Sequence, residues 1–376
     1  MNVKKILAAP NWYWHELPVI RRFFIDFLPF KLFFRRYNTF KIKTDYCFIY
    51  SMKRQDYLEH IKNVYKQAPE RKKLNYIGIE NKLNFSIIPY LLNFKHLKTI
   101  CIVFRDNSLT KNIFLWLHYI QIMQLKDSLD TWEIKYLIVH ADMQPIENML
   151  VQYFNSKKIQ TVTLQHGLYI DYSGFDNKNR INYENIVSKY FLAWGTDTKK
   201  LIQKYNPHVK IHICGKTDLT RKLENTEESS NYFTIIFDQE LFKEYNKSLL
   251  EIGNQIALNL NLEMNIRLHP ANNHNDYKLD KSHLNLNIYK SKFILGHTSS
   301  LMFEIMNYNI PVFKLKSEIP CNHINSSLIF DNAHTLVHSI INNSNFNYKR
   351  EGKLYIQYLG KHSKEQYKAF FNKLSF

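Results

Sequence analysis

The sequence predicts an α/β protein made of two Rossmann-like domains whose parallel sheets face an interdomain cleft. Three observations predict it. Short apolar runs alternate with helix-length segments along the chain, the signature of a parallel sheet wrapped by helices. The alternation fails once, across the polar stretch "DLTRKLENTEESSNY" from Asp218 to Tyr232, and then resumes. The length, 376 residues, exceeds one ordinary domain.

The elements follow in order. "KKILAA" reads as an opening strand, and "YCFIYS" (46–51), "KTICIVF" (98–104) and "KYLIVHA" (135–141) read likewise, each bounded by polar or turn residues. "PIENMLVQYFNSKK" (145–158) is a helix: Pro145 suits its first turn, and Ile146, Met149, Leu150 and Tyr153 recur at helical spacing. The strand "IQTVTLQHG", the strand "KYFLAWG" (189–195), a helix around "DTKKLIQKY" and the strand "VKIHICG" (209–215) complete the first unit. After the break come "YFTIIFD" (232–238), a helix through "KEYNKSLLEIGNQIALNL", "EMNIRLHP" (263–270), a polar loop, "KSKFILGH" (290–297), the helix "SSLMFEIMNYN" (299–309) and the strand "IPVFKLK". The expected division is an acceptor-side domain over 1–217, a linker over 218–231, a donor-binding domain over 232–345 and a helical tail over 346–376 that could cross back over the junction.

Composition narrows the function. A formal charge of +18 points to an anionic partner: nucleic acid, a phosphate-bearing substrate or an anionic lipid surface. Hydrophobic residues at 45% exclude a disordered chain. Cys47, Cys101, Cys214 and Cys321 are far apart, so neither a zinc ribbon nor a redox pair is read, and free thiols in a reducing cytosol are the simplest account. No secretory signal is visible at the start, and the longest charge-free runs fall short of the roughly 20 residues of a membrane span. The expected location is cytoplasmic, open to a peripheral seat on the inner face of the membrane.

In open parallel sheets, ligands bind beyond the carboxyl ends of the strands. His15 and Glu16 follow the first apolar run, His140 and Asp142 follow "YLIVHA", and Gln165, His166 and Gly167 follow "TVTL". A histidine there can take a proton from a hydroxyl, with a carboxylate fixing its tautomer, and Gly167 would admit a close backbone approach or positive φ. The bland alternative is a histidine that caps a strand end. On the other half, Arg267, His269 and Pro270 end one strand. Gly296, His297, Thr298, Ser299 and Ser300 end another and open a helix, with Glu304 a turn beyond. Free N–H groups at that helix start, with Arg267, could hold phosphate, His269 could bind a phosphate or ribose, and Glu304 could accept from ribose. The alternatives are an ordinary N-cap and a surface ion pair.

"LQHG" at a strand end, then "IRLHP", then "GHTSSLMFEIMNYNIPVF" resembles the GT-B glycosyltransferases of bacterial surface (capsule-type) polysaccharide synthesis. The motifs are also similar to those of CDP-glycerol glycerophosphotransferases and bacterial sialyltransferases. The resemblance covers residues 135 to 315. It implies that His269, Pro270, Ser299 and Ser300 bind the donor nucleotide and that His166 lies near the reacting centre. Gln165 stands where the glycerophosphotransferases have tryptophan, and the double-acid-glycine element of many sialyltransferases is missing.

The resulting expectation is an inverting transferase moving a sugar from a nucleotide-activated donor to a growing glycan or lipid-linked oligosaccharide. The base would be His166, Asp142 or Glu16. No DxD pair occurs, so no divalent metal and no cofactor is expected, leaving Arg267 and the helix start to neutralise the leaving group. Residues 19–43, with seven Lys and Arg among phenylalanines, could lie on an anionic membrane or simply pack on the sheet. A CDP-polyol phosphotransferase is the alternative enzyme. A nucleic-acid-binding protein is the alternative of another class, without a recognisable reading module to support it, and no nucleic-acid partner is expected. A non-catalytic glycan-assembly protein that keeps the fold is a third.

Overall fold

The computed structural model describes residues 1–16, 35–37, 41–51, 54–69, 74–78, 81–83, 91–217, 231–269, 272, 277, 279, 286–318 and 324–374. The expected linker up to residue 230, most of the basic 19–43 segment and Pro270 lie outside the described residues, as do the side chains of His15 and Glu16.

Among the described residues, the main sheet of the first domain has six strands, β1 (Tyr46–Tyr50), β2 (Leu74–Gly78), β3 (Tyr136–Val139), β4 (Gln160–Leu164), β5 (Tyr190–Ala193) and β6 (Lys210–Ile213). All pair in parallel, in the order β6-β5-β4-β3-β1-β2. The domain's helices include α1 (Val3–Ile6), α2 (Ala8–Glu16), α3 (Gln55–Tyr65), α4 (Lys95–Val103), α5 (Leu109–Leu129), α6 (Pro145–Ser156) and α7 (Thr196–Tyr205). The second domain repeats the plan with β7 (Tyr232–Ile236), β8 (Glu263–Arg267), β9 (Ile294–Gly296), β10 (Val312–Leu315) and β11 (Ile329–Phe330), again parallel, in the order β8-β7-β9-β10-β11. Around them lie α8 (Lys243–Leu260), α9 (Ser300–Met306), α10 (Ala333–Asn342) and α11 (Tyr348–Tyr355). In each sheet the strand order reverses beside the domain's first long strand, between β1 and β3 and between β7 and β9. Helices on the two sides diverge there and leave a crevice at the strand tips.

Two expected strands are helices. "KKILAA" folds as α1 running towards α2: the Asn2 side chain accepts from Lys5 N–H at 3.1 Å, and Ile6 and Leu7 bury together. His15 and Glu16 therefore sit on the last turn of α2, not after a strand. "KTICIVF" lies largely in α4. Ile100 and Phe104, four apart, are buried while Ile102 between them is 66% exposed, the period of a helix and not of a strand. Short apolar runs leave this ambiguity open in sequence.

The first sheet buries both faces, with side chains alternating between them. Cys47, Ile49, Leu137 and Val139 pack under helices α4 to α6. Tyr46, Phe48, Ile138 and Val162 pack on the other side against Ile61 and Val64 of α3 and against Tyr367, Phe370 and Phe371. Those last three belong to α12 (Gly360–Leu374), which arrives from the second domain. Ahead of it, Gln357 N–H donates to Trp194 O at 2.9 Å, Lys216 N–H to Tyr358 O at 2.9 Å and Gly360 N–H to Lys216 O at 3.1 Å. The crossing chain lies so close that a Cβ at Gly215, whose φ is +77°, would run into Tyr358 O.

Candidate functional site

A cavity of about 480 Å³ opens between the two sheets' carboxyl ends. The first domain contributes His166 and Gly167 after β4, Arg54 and Tyr57 at the start of α3, and Lys178. Across it stand Asp238 after β7, Arg267 and His269 at the end of β8, and Thr298, Ser299 and Ser300 where β9 turns into α9. The strands deliver these groups because the backbone turns away at each tip and the side chains of the turn face the crevice.

His166 is half-buried. Its Nδ1 is 2.9 Å from Tyr169 Oη, and its ring lies 5.6 Å from that of Tyr57 and 5.9 Å from that of His140. Burial, then the charges of Asp142 and Tyr57, pushes the Tyr169 hydroxyl well above its ordinary range, so it keeps its proton. The shared hydrogen bond ties the tautomer of His166 to Tyr169: with the proton on Nδ1 the ring donates to Oη, and Nε2 becomes the basic nitrogen. His140 is fully buried behind it. Desolvation, then His166, His60 and Arg54, depresses its pKa well below the histidine range and keeps it neutral.

On the facing wall Asp238 Oδ2 accepts from both Thr298 N–H and Thr298 Oγ1 at 2.7 Å. This carboxylate occupies the N–H group that the sequence reading offers to phosphate, so Thr298 is not an open donor there. Ser299 caps α9 through its Oγ, 3.4 Å from Leu301 N–H, and Ser299 and Ser300 are half-buried towards the cavity. Arg267 is exposed at the tip of β8.

Several expected site residues lie elsewhere. Asp142 is buried under the sheet end, its Oδ2 accepting from Val187 N–H at 2.9 Å and Ser188 N–H at 2.8 Å, so it holds a loop and does not line the cavity. Burial raises its pKa, against those hydrogen bonds and Lys5. Gln165 is likewise internal. Its Nε2 donates to Gly167 O at 2.8 Å and Thr198 Oγ1 at 3.0 Å, and its Oε1 accepts from Trp194 N–H at 2.6 Å. It fixes the turn that presents His166. Gly167 shows no positive φ, and open space stands where its Cβ would be, towards the cavity. His297 is wholly buried, stacked on Tyr245 at 4.2 Å, with Nδ1 3.5 Å from Asp238 Oδ2, and burial lowers its pKa against that carboxylate. Glu304 is buried too and pairs with Lys216 Nζ at 2.6 Å, so it does not face a ribose.

The sequence reading missed Arg54, Tyr57, Asp238, Lys178 and Lys216. Asp238 ends "YFTIIFD", a strand tip at the switch point, and the strand-end rule was signal enough. Arg54, whose guanidinium lies 3.7 Å over the Tyr57 ring, stands on a helix start with no motif around it. Among the described residues, four cations against one carboxylate line the cavity, which suits an anionic ligand. Among the described residues no three His, Cys, Asp or Glu side chains group to hold a metal ion.

No family model matches the chain, and no curated protein does. Solved structures do. The chain is similar to the S. aureus MnaA–UDP co-structure, at 13% identity and TM-score 0.54 over 88% of this chain and 98% of that one. It is similar to UDP-N-acetylglucosamine 2-epimerase from Rickettsia bellii, at 13% identity and TM-score 0.52 over 89% and 97%. It is similar to the spinosyn rhamnosyltransferase SpnG, at 11% identity and TM-score 0.52 over 88% and 100%. Each match spans nearly both whole chains, so the two domains and their arrangement correspond together. The fold is GT-B. The cavity described above lies in the cleft between the two sheets, a place where ligand pockets commonly form.

Proposed function

We propose that the chain is a glycosyltransferase that binds a nucleotide-activated sugar against the second domain and passes the sugar to a hydroxyl of a surface glycan or lipid-linked oligosaccharide. The observation that carries this reading is one cavity lined by His166 from the first domain and by Arg267, His269, Ser299 and Ser300 from the second. In the reaction the acceptor oxygen attacks the anomeric carbon opposite the leaving phosphate. A carbon–oxygen bond forms, the acceptor proton passes to His166 Nε2, and the bond to the nucleotide breaks with its electron pair on the phosphate oxygen. Single displacement inverts the anomeric centre. Arg267 offers a fork of donors to the departing phosphate, and His269 and the two serines add hydrogen bonds, without a divalent metal.

The likeness to a UDP-sugar 2-epimerase supports a second reading, in which the nucleotide sugar is altered in the same cleft with no acceptor. A thermal-shift screen against UDP-, GDP-, CDP- and CMP-linked sugars and CDP-linked polyols, followed by product analysis, tests these readings. The expected result is stabilisation by one donor class and a glycosylated product. His166→Ala should keep the donor shift and lose at least about 100-fold in transfer, while Arg267→Ala should lose the shift. A sugar epimer formed without acceptor would favour the second reading, and a phosphodiester product the CDP-polyol phosphotransferase. No shift with any donor would end all three.

A further inference from the structure

A second surface of the first domain carries chemistry that the cleft does not use. Leu91 and Leu92 are helical, and a turn at Asn93 and Phe94 leads into α4. The inner side of this helical path is fixed: Ile100 and Phe104 are buried, and Trp116 Nε1 donates to Asn93 O at 3.3 Å. The outer side shows Leu91, Leu92, Phe94 and Ile102 at 67, 73, 63 and 66% exposure, with Leu109 at 65% on the first turn of α5. Isolated exposed apolar side chains need no explanation, but a run of them does.

Within α4, positions 95, 98 and 102 recur at helical spacing, which sets Lys95 and Lys98 in the same stripe as Ile102, and Arg105 follows the helix end. All three cations are exposed. The one acid between residues 91 and 109 is Asp106, 3.9 Å from Arg105 Nε.

We propose that this face docks on an anionic lipid bilayer, its apolar side chains in the headgroup–acyl boundary and Lys95, Lys98 and Arg105 against lipid phosphates. Charge complementarity selects this occupant over a protein. Lysine is depleted from the apolar cores of protein interfaces, whereas a bilayer meets an apolar stripe and its flanking cations in one layer. No helix among the described residues is long and apolar enough to cross a membrane, so the contact is with the surface. The assignment stands independently of the reaction in the cleft.

Flotation of the full chain with phosphatidylcholine vesicles, with and without phosphatidylglycerol, tests it. Binding is expected to the anionic vesicles and to weaken with salt. Lys95→Glu with Lys98→Glu should weaken it at least about 20-fold. Leu92→Ser with Phe94→Ser and Ile102→Ser should weaken it at least about 10-fold. These positions are exposed, so thermal melting should confirm that the variants fold. Vesicle binding that neither set of changes alters would overturn the proposal. So would absence of binding together with a dimer, seen by sedimentation, that the three serine changes dissolve, because the stripe would then be an interface between copies.

Discussion

Glu147 is a fully buried carboxyl beside the β1/β3 switch point. Ser51 N–H and Ser51 Oγ donate to its two oxygens at 2.7 and 2.8 Å, locking the end of β1 to the first turn of α6. Burial raises its pKa to about 7, the Ser51 hydrogen bonds only partly opposing. The unfolded chain releases that proton near 4.5, so between about pH 4.5 and about pH 7 the folded state holds more protons. Stability from this group is complete below that window and is lost as pH rises through it. His140 acts oppositely. Its depressed pKa gives stability that is present above about 6.5 and lost as pH falls. Glu147→Gln keeps a hydrogen-bonding amide and removes the charge. Its unfolding free energy should match the wild type at the acid end and exceed it above neutrality, by up to about 3 kcal/mol. A difference that stays constant with pH would sink this account. His140 stands out in sequence after an apolar run, but Glu147 does not. Glu147 reads there as an ordinary first-turn acid of a helix, and only the neighbouring Ser51 strand tip shows that it is internal. His166 and Arg267 were legible because a polar residue directly after an apolar strand has a defined place in any parallel sheet.

At the scale of elements, the loop from His140 to Gln144 is held by Asp142. Its carboxylate receives Val187 and Ser188 N–H, and Asn148 Nδ2 donates to the Asp142 backbone carbonyl at 2.7 Å. Together these bonds bring the end of β3, the start of α6 and the approach to β5 into one unit, with His140 placed behind His166. Asp142→Ala leaves the buried Ser188 N–H and the part-buried Val187 N–H without their carboxylate and should cost about 3 kcal/mol in urea unfolding. Transfer per folded molecule should largely persist. A complete loss of transfer in a stable Asp142→Ala protein would instead make Asp142 the base. The same scale shows what pattern can deliver. The strands from "YLIVHA" onward read correctly because they are short, mostly apolar and bounded by turns. α4 did not: a seven-residue apolar run carries no length signal, and its burial follows partners on α5 that lie outside the local window.

For the whole molecule, the question is what sets the two sheets at the distance that makes one cavity. The crossing chain and α12 tie the domains covalently and through packing, and Lys216 ties them through charge. Lys216 follows β6 and lines the cavity, yet its ammonium reaches Glu304 on α9 at 2.6 Å, with Tyr289 Oη 3.5 Å from the other carboxylate oxygen. The Lys216 ammonium also lies 5.6 Å from the Trp194 ring of the first domain. Glu304 is 1% exposed in its side chain, so removing its partner strands a buried charge. Lys216→Met should therefore cost about 3 kcal/mol. The double variant Lys216→Met with Glu304→Met should recover most of that loss, because neither charge then remains. If the pair also sets the cleft, the double variant should regain stability without regaining donor affinity. Small-angle scattering should then show a larger radius of gyration that donor no longer reduces. Single and double losses that simply add would mean that the two residues act independently and that the domain spacing rests on α12 and the crossing chain alone.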